Sequence, residues 1–396
     1  MVPLAFYVIS LINLMQVTAM NGIKPVVSLY ASFLGHTPAE ISIIIAAAAL
    51  LPAMLALQLG KWIDRLGTRP LVACGNAMFI IALFISALYP HFLTFLLQQA
   101  LIGIAFTAIM LALQKRIGSL GHDVDRAVAN FSLFGSLGAM IGPVLSTFLY
   151  EHYGYQVCSY ANLSLMMVAF AIEFLIKNPD LKQNPNYSRS SHASPQKQEP
   201  IWSMLRERDL RNAIIIGGLV LSNRELFSAY FPLLAEKLGV SPTMTGILIS
   251  FSGLTMLLVR FSQTALVRSF GRMNVLTWSL YVSGLIYILT PFSGWIAVLF
   301  ILVGILGGGL GLGQPLSISS VLEISPPDRR GEVLGVRITV NRVSQFALPL
   351  LFGGLGGLAG VSAIFWASGL VMLCFGYSTR PLPSVNNSGT PQSRSS

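Results

Sequence analysis

Apolar runs of roughly 20 residues recur twelve times along this chain, separated by short polar breaks. They cover 5–31, 39–59, 70–89, 92–114, 127–149, 155–176, 211–235, 243–267, 273–290, 292–321, 332–354 and 356–378. Coiled as a helix, each run spans the ~30 Å hydrocarbon core of a bilayer. In lipid only a helix or a closed barrel satisfies its own backbone hydrogen bonds. The pattern therefore predicts an all-α membrane protein with twelve transmembrane helices. Turn chemistry marks several of the breaks, among them Gly35-His36-Thr37-Pro38, Tyr89-Pro90 and Pro326-Pro327. The first run has no Lys or Arg before Lys24 and no small-residue cleavage pattern, so it reads as a retained span rather than a signal peptide.

Polar segments divide the runs six and six. Residues 178–200 are rich in Asn, Ser, Pro, Gln and Lys, a composition that cannot bury a core and reads as a flexible linker. Ile201, Trp202, Met204 and Leu205, set among Arg206, Glu207 and Arg208, suit a short amphipathic helix on the inner membrane surface. The expected organisation is a six-helix bundle over 1–177, a cytoplasmic linker over 178–210, a second six-helix bundle over 211–379 and a disordered cytoplasmic tail over 380–396. Such halving suggests two pseudo-symmetric bundles built as parallel repeats. A faint trace of the repeat follows the second and eighth runs: Gly60 to Arg69 in one place, Arg268, Gly271 and Arg272 in the other.

Charge sharpens the topology. Of the Lys and Arg residues outside the runs, nineteen fall in one alternate set of breaks and termini and only Lys237 in the other. Positively charged loops stay on the cytoplasmic side, so both termini are expected inside, in the cytoplasmic (inner) membrane of a bacterium. The chain is 54% hydrophobic and 10% charged, with a mean hydropathy of +0.70. A net charge of +10 does not point to nucleic acid, because the basic residues are scattered over short loops without a single basic face. Cys74, Cys158 and Cys374 fall in different runs and read as buried free thiols. The five histidines lie at run ends or in loops, without metal-ligand spacing, and no metal or cofactor is expected. No Gly-x-Ser-x-Gly elbow, phosphate-cradling loop or sizeable soluble domain is present, which argues against a membrane enzyme, an ATP-driven pump and a sensor.

Gly60-Lys61-Trp62-Ile63-Asp64-Arg65-Leu66-Gly67-Thr68-Arg69 resembles the signature loop of the major facilitator superfamily, at Gly60, Asp64, Arg65, Gly67 and Arg69. The resemblance implies a transporter that works by alternating access, with this loop latching the two halves on the inner side. Asp64 would then accept backbone N–H bonds at a helix N-terminus. Gly138-Ala139-Met140-Ile141-Gly142-Pro143 resembles the antiporter motif of exporters in that family, although Ser146-Thr147 stands where a glycine pair is usual. Glycines four apart let helices approach closely, and Pro143 bends the span. The chain departs from the drug exporters in having Gln99, not Arg, four residues before Gly103, and no acid in the first run.

Five basic residues lie inside runs: Lys24, Arg224, Arg260, Arg337 and Arg342; Glu225 is the one acid at depth. A charge at the bilayer centre costs at least ~2.5–3.5 kcal/mol, so these residues are expected to be paired or functional. At 1.5 Å per residue, Arg342 lies about 15 Å deep and Arg224 and Glu225 about 20 Å. Arg337, at about 8 Å, and Arg260 are close enough to the inner end to snorkel. Polar stripes accompany the charges: Thr18, Asn21, Lys24 and Ser28 on one helix face, Arg337, Asn341 and Ser344 on another, and Gln314, Ser317 and Ser320 beyond a glycine-rich run that allows either bending or tight contact. Glu225 is expected to pair with Lys24 or Arg342. The substrate-binding candidates are Asn21, Lys24, Arg224, Glu225, Gln314, Arg337, Asn341 and Arg342, and their excess of cations favours an anionic or zwitterionic small molecule. Glu323 is expected to pair with Arg329 and Arg330 as an inner gate. The reading is a secondary transporter, an exporter of a small anionic or amphipathic compound acting as a monomer, with protons as coupling ion and Glu225 as their carrier. An importer or facilitator of organic anions is the alternative.

Overall fold

The structure, a computed structural model, describes residues 4–118, 124–175, 206–326 and 329–379. Residues 201–205 of the proposed surface helix, most of the linker and the C-terminal tail lie outside these residues. Within them the chain is helical: α1 (Leu4–Phe33), α2 (Pro38–Leu66), α3 (Thr68–Leu88) and α4 (Phe92–Gly118) come first. The stretch Val124–Leu175 is broken by non-helical Gly154 (φ 82°, ψ 175°) into α5, 124–153, and α6, 155–175. The second half holds α7 (Arg208–Lys237), α8 (Pro242–Phe270), α9 (Arg272–Leu289), α10 (Ile296–Ile324), α11 (Arg330–Ala359) and α12 (Val361–Thr379). A short 3₁₀ turn, Thr290–Phe292, joins α9 to α10. It delays α10 to Ile296, four residues later than the apolar run suggests, while α7 begins earlier, at Arg208.

Nine helical stretches of the described residues are long and apolar enough to cross a membrane, one of them the 45-residue stretch that contains both α5 and α6. The two that fall short, α7 and α11, each carry two charged residues in their interior, Arg224 with Glu225 and Arg337 with Arg342. Twelve helices thus form two six-helix bundles. Each bundle buries its own apolar faces, and a shared core of residues such as Ile23, Phe79, Phe95, Tyr230 and Leu306 runs through both.

The turns show how alike the halves are. Gly35 (φ 85°) ends α1 and Gly239 (φ 75°) follows α7, and each is followed three residues later by the proline that opens the next helix. Thr37 and Ser241 cap those helices with side-chain hydroxyls that accept from Glu40 N and Met244 N. The turns at Gly67 and Gly271 repeat likewise, at the same separation along the chain as Gly35 and Gly239. The end of the molecule that holds the α2–α3 and α8–α9 turns carries exposed Lys61, Arg65 and Arg268, and is called the basic end. The end with the Gly35 and Gly239 turns is the far end.

Candidate functional site

Two helix pairs join the bundles at the far end. In the first seam, Ser42 of α2 fits against Gly353 of α11, and a Cβ on Gly353 would collide with it. Pro38 and Ala39 stand against Gly356 and Gly357 one turn further out. In the second, Thr147 of α5 fits against Gly246 of α8 in the same way. Both hydroxyls already donate to the carbonyl four residues back on their own helix, Ser42 to Pro38 O (2.5 Å) and Thr147 to Pro143 O (2.7 Å). Tyr230 of α7 adds a hydrogen bond to Ser42 Oγ (2.5 Å). Across the second seam Ser250 Oγ donates to Met140 O (2.5 Å) and Thr243 N to Glu151 Oε2 (2.7 Å).

At the basic end four ion pairs of the described residues lie within a bundle. Asp64 Oδ1 receives Lys115 Nζ at 2.6 Å, α2 to α4. Asp64 does not cap α3 as expected. It sits in the last turn of α2, and Gly67 at the N-cap of α3 makes no side-chain cap bond. Arg116 and Glu173 form a buried bidentate pair, α4 to α6 (2.8 and 2.5 Å), and Arg116 Nε reaches Thr68 Oγ1 at 2.9 Å. Arg69 donates to Phe174 O (3.2 Å), while Gly60 faces open space and Arg65 is exposed. Glu323 pairs with Arg272 of α9, not with Arg329, whose guanidinium turns to Glu332 in the first turn of its own helix (2.8 Å). The side chain of Arg330 lies outside the described residues.

Between these ends lies a cavity of about 610 Å³, walled by α1, α4, α5, α7 and α8. At mid-depth Lys24 Nζ meets Glu225 Oε2 at 2.5 Å, an ion pair that joins the two bundles. Asn21 and Arg224 share its lining, as do Asn13, Gln114, Ser132 and Ser136. Four of the predicted site residues, Asn21, Lys24, Arg224 and Glu225, are thus brought together. The other four are not part of the lining. Arg337 is buried in the second bundle, donating to Ser317 Oγ (3.0 Å) and Gln314 Oε1 (2.6 Å), while Gln314 Nε2 donates to Gly217 O (2.5 Å). Asn341 is buried beside Gly218. Arg342 bonds to Gln345 (3.2 Å) and lies within electrostatic reach of Glu225.

The glycine run of α10 serves close packing, Gly307 and Gly311 against α8 and Gly313 against Val220 of α7. Gly138 and Gly142 likewise stand against the backbone of α1 at Leu14 and Thr18, and Pro143 presents its carbonyl to Gly246. Only Cys158 is a buried thiol; Cys74 and Cys374 are exposed on outer helix faces. The apolar side of the cavity, Met20, Phe106, Met110, Phe131 and Met256, is not legible in the sequence, because nothing in their type separates a cavity wall from a lipid face. Arg260, expected near the inner membrane edge, lines the cavity.

A sequence profile of the Major Facilitator Superfamily matches residues 9–222 and 213–395. The chain belongs to this superfamily. Its fold is that of solved superfamily-like transporters: the nucleoside transporter NupG superposes with a TM-score of 0.77 at 12% identity, covering 95% of this chain and 98% of that one. A POT family transporter solved with a thioalcohol-conjugated peptide gives 0.79 at 15%, covering 95% of each chain. Among sequence relatives, an uncharacterized MFS-type transporter of Methanocaldococcus jannaschii is 23% identical over 360 residues, 89% of this chain and 92% of the relative. Quinolone resistance protein NorA of Staphylococcus aureus strain Mu50 is 22% identical over 352 residues, 87% and 88% respectively. Like other superfamily members, the protein is an integral membrane transporter.

Proposed function

We propose that this protein is a secondary active transporter that carries a small anionic or amphipathic organic compound out of the cell by alternating access, in exchange for protons. The observation that carries the reading is the Lys24–Glu225 pair: it links the bundles at mid-depth beside a polar cavity, where transporters of this plan place substrate and coupling ion. A charge pair in that position is expensive unless it works. Protonating Glu225 removes one partner and releases Lys24 to a substrate anion, so proton and substrate would share one site. The far-end seams and the cavity on their other side fit a state open toward the basic end. The positive-inside rule makes that end cytoplasmic, with both termini there and the chain in a bacterial cytoplasmic membrane. The site residues proposed are Asn21, Lys24, Arg224 and Glu225, with Arg342 biasing Glu225 from outside the lining. Similarity to a quinolone resistance protein and the close α1–α5 packing at Gly138 and Gly142 favour export over import.

The test is proton-driven accumulation in everted vesicles of an organic-anion panel. Glu225→Gln is expected to abolish pH-driven transport while leaving counterflow of substrate across the membrane measurable. Unchanged pH-driven transport in that variant would remove Glu225 from the coupling step. Uptake only in right-side-out vesicles would reverse the direction.

A further inference from the structure

Two guanidinium groups face the cavity without a hydrogen-bond partner among the described residues. Arg224 of α7 and Arg260 of α8 both line it, and neither makes a hydrogen bond or ion pair among the described residues. Arg260 Nε is shielded from solvent and still unbonded. The two groups lie within each other's electrostatic reach. Glu225 lies within electrostatic reach of Arg224 but gives its close contact to Lys24, and among the described residues no other carboxylate lines the cavity, so the cations remain in excess. Two like charges so placed repel one another, and a buried donor left without a partner is destabilising. An anion that bridges them relieves both costs. Besides their polar groups, α1, α4 and α5 bring an apolar set to the lining, Met20, Phe106, Met110 and Phe131. Thioethers and aromatic rings adapt to varied alkyl and ring shapes.

Resting on the transporter reading above, we propose that Arg224 and Arg260 form an anion seat separate from the Lys24–Glu225 pair, and that the occupant is an anionic amphiphile whose head lies on this seat and whose apolar body lies on the wall of Met20, Phe106, Met110 and Phe131. Arg260 is then a specificity-determining residue. It selects the sign of the head, while the apolar wall selects chain length. The same head chemistry could belong to a free amphiphile or to a membrane lipid.

Equilibrium binding to the purified full chain in phosphatidylcholine nanodiscs tests this without requiring transport, so failure of the coupling scheme leaves the outcome interpretable. Decanoate is expected to bind more tightly than butyrate, decanol or decylammonium. Arg260→Gln should weaken decanoate about tenfold, the scale of one charge-assisted hydrogen bond, and leave decanol unchanged. Arg260→Glu should invert the preference, favouring decylammonium, a gain that a misfolded protein cannot show. Equal decanoate binding in wild type and Arg260→Gln, or no inversion in Arg260→Glu, overturns the seat. Adding phosphatidylglycerol separates the two sources. Competition with decanoate that disappears in Arg260→Gln supports the seat with a lipid head as occupant, and absence of competition supports it with a free anion.

Discussion

The two seams at the far end make the same contact with the roles exchanged. On one side the first bundle supplies the hydroxyl twice over: Ser42 of α2 presses on Gly353, and Thr147 of α5 presses on Gly246. Helix α2 corresponds to α8, and α5 to α11, in the internal repeat. At equivalent positions, then, α2 carries the knob where α8 carries the notch, and α11 carries the notch where α5 carries the knob. The repeat conserves the fit but not the side chain. What matters is a hydroxyl-sized projection against a bare backbone, and either partner can provide it. Both hydroxyls hold an internal hydrogen bond on their own helix. The seams can therefore part without stranding a donor in lipid. The seams differ in their bracing, with Tyr230 on the α2–α11 side and Ser250 with Glu151 on the α5–α8 side.

The largest break in this equivalence is to fill a notch. Gly246→Leu should prevent α5 and α8 from meeting, because overpacking costs about 1–3 kcal/mol and the added side chain meets both Thr147 Oγ1 and the Pro143 backbone, which cannot move aside. The expected outcome is a protein held open at the far end: a cysteine at Ser136 loses labelling from the basic side, and exchange transport falls to background. Exchanging knob and notch sharpens the comparison. The double variant Thr147→Gly, Gly246→Thr should recover most of the labelling lost in Gly246→Thr alone, and a double-mutant cycle with no coupling would show that the two positions do not meet. The smallest effect belongs to the bracing. Tyr230→Phe removes one hydrogen bond, worth about 0.5–1.5 kcal/mol, and should raise far-end labelling several-fold while leaving folding intact. No change would mean that the α2–α11 seam closes by packing alone.

Much of the architecture is legible in hydropathy and charge, since lipid leaves few alternatives to a helix of one length. Lys24, Arg224 and Glu225 are legible for the same reason: a charge within an apolar run must be accounted for. Partners are harder to read. Arg337 has the polarity of a site residue, yet it turns into its own bundle toward Ser317 and Gln314. A helix face can be read from spacing, but not which neighbour covers it. Glu323 lies close in sequence to Arg329 and pairs instead across helices with Arg272. Arg260 lies deeper than its apolar run suggests because α8 continues to Phe270, beyond that run, carrying Arg268 with it. The Gly35 and Gly239 turns, each with a hydroxyl cap and a proline, are a clearer mark of the repeat than the basic loops, and could have been found by comparing turn chemistry at a fixed offset.

Gly67, Gly154, Gly271 and Gly360 share one backbone shape, with φ between 79° and 86° and ψ between 150° and 175°. Each links the second and third helices of a trio, so the molecule is four castings from one three-helix mould. Lending each trio the pose of its sister within the same bundle would draw the opposite face of the transport cycle, and spectroscopic distances between spin labels across the far-end rim could be checked against that drawing.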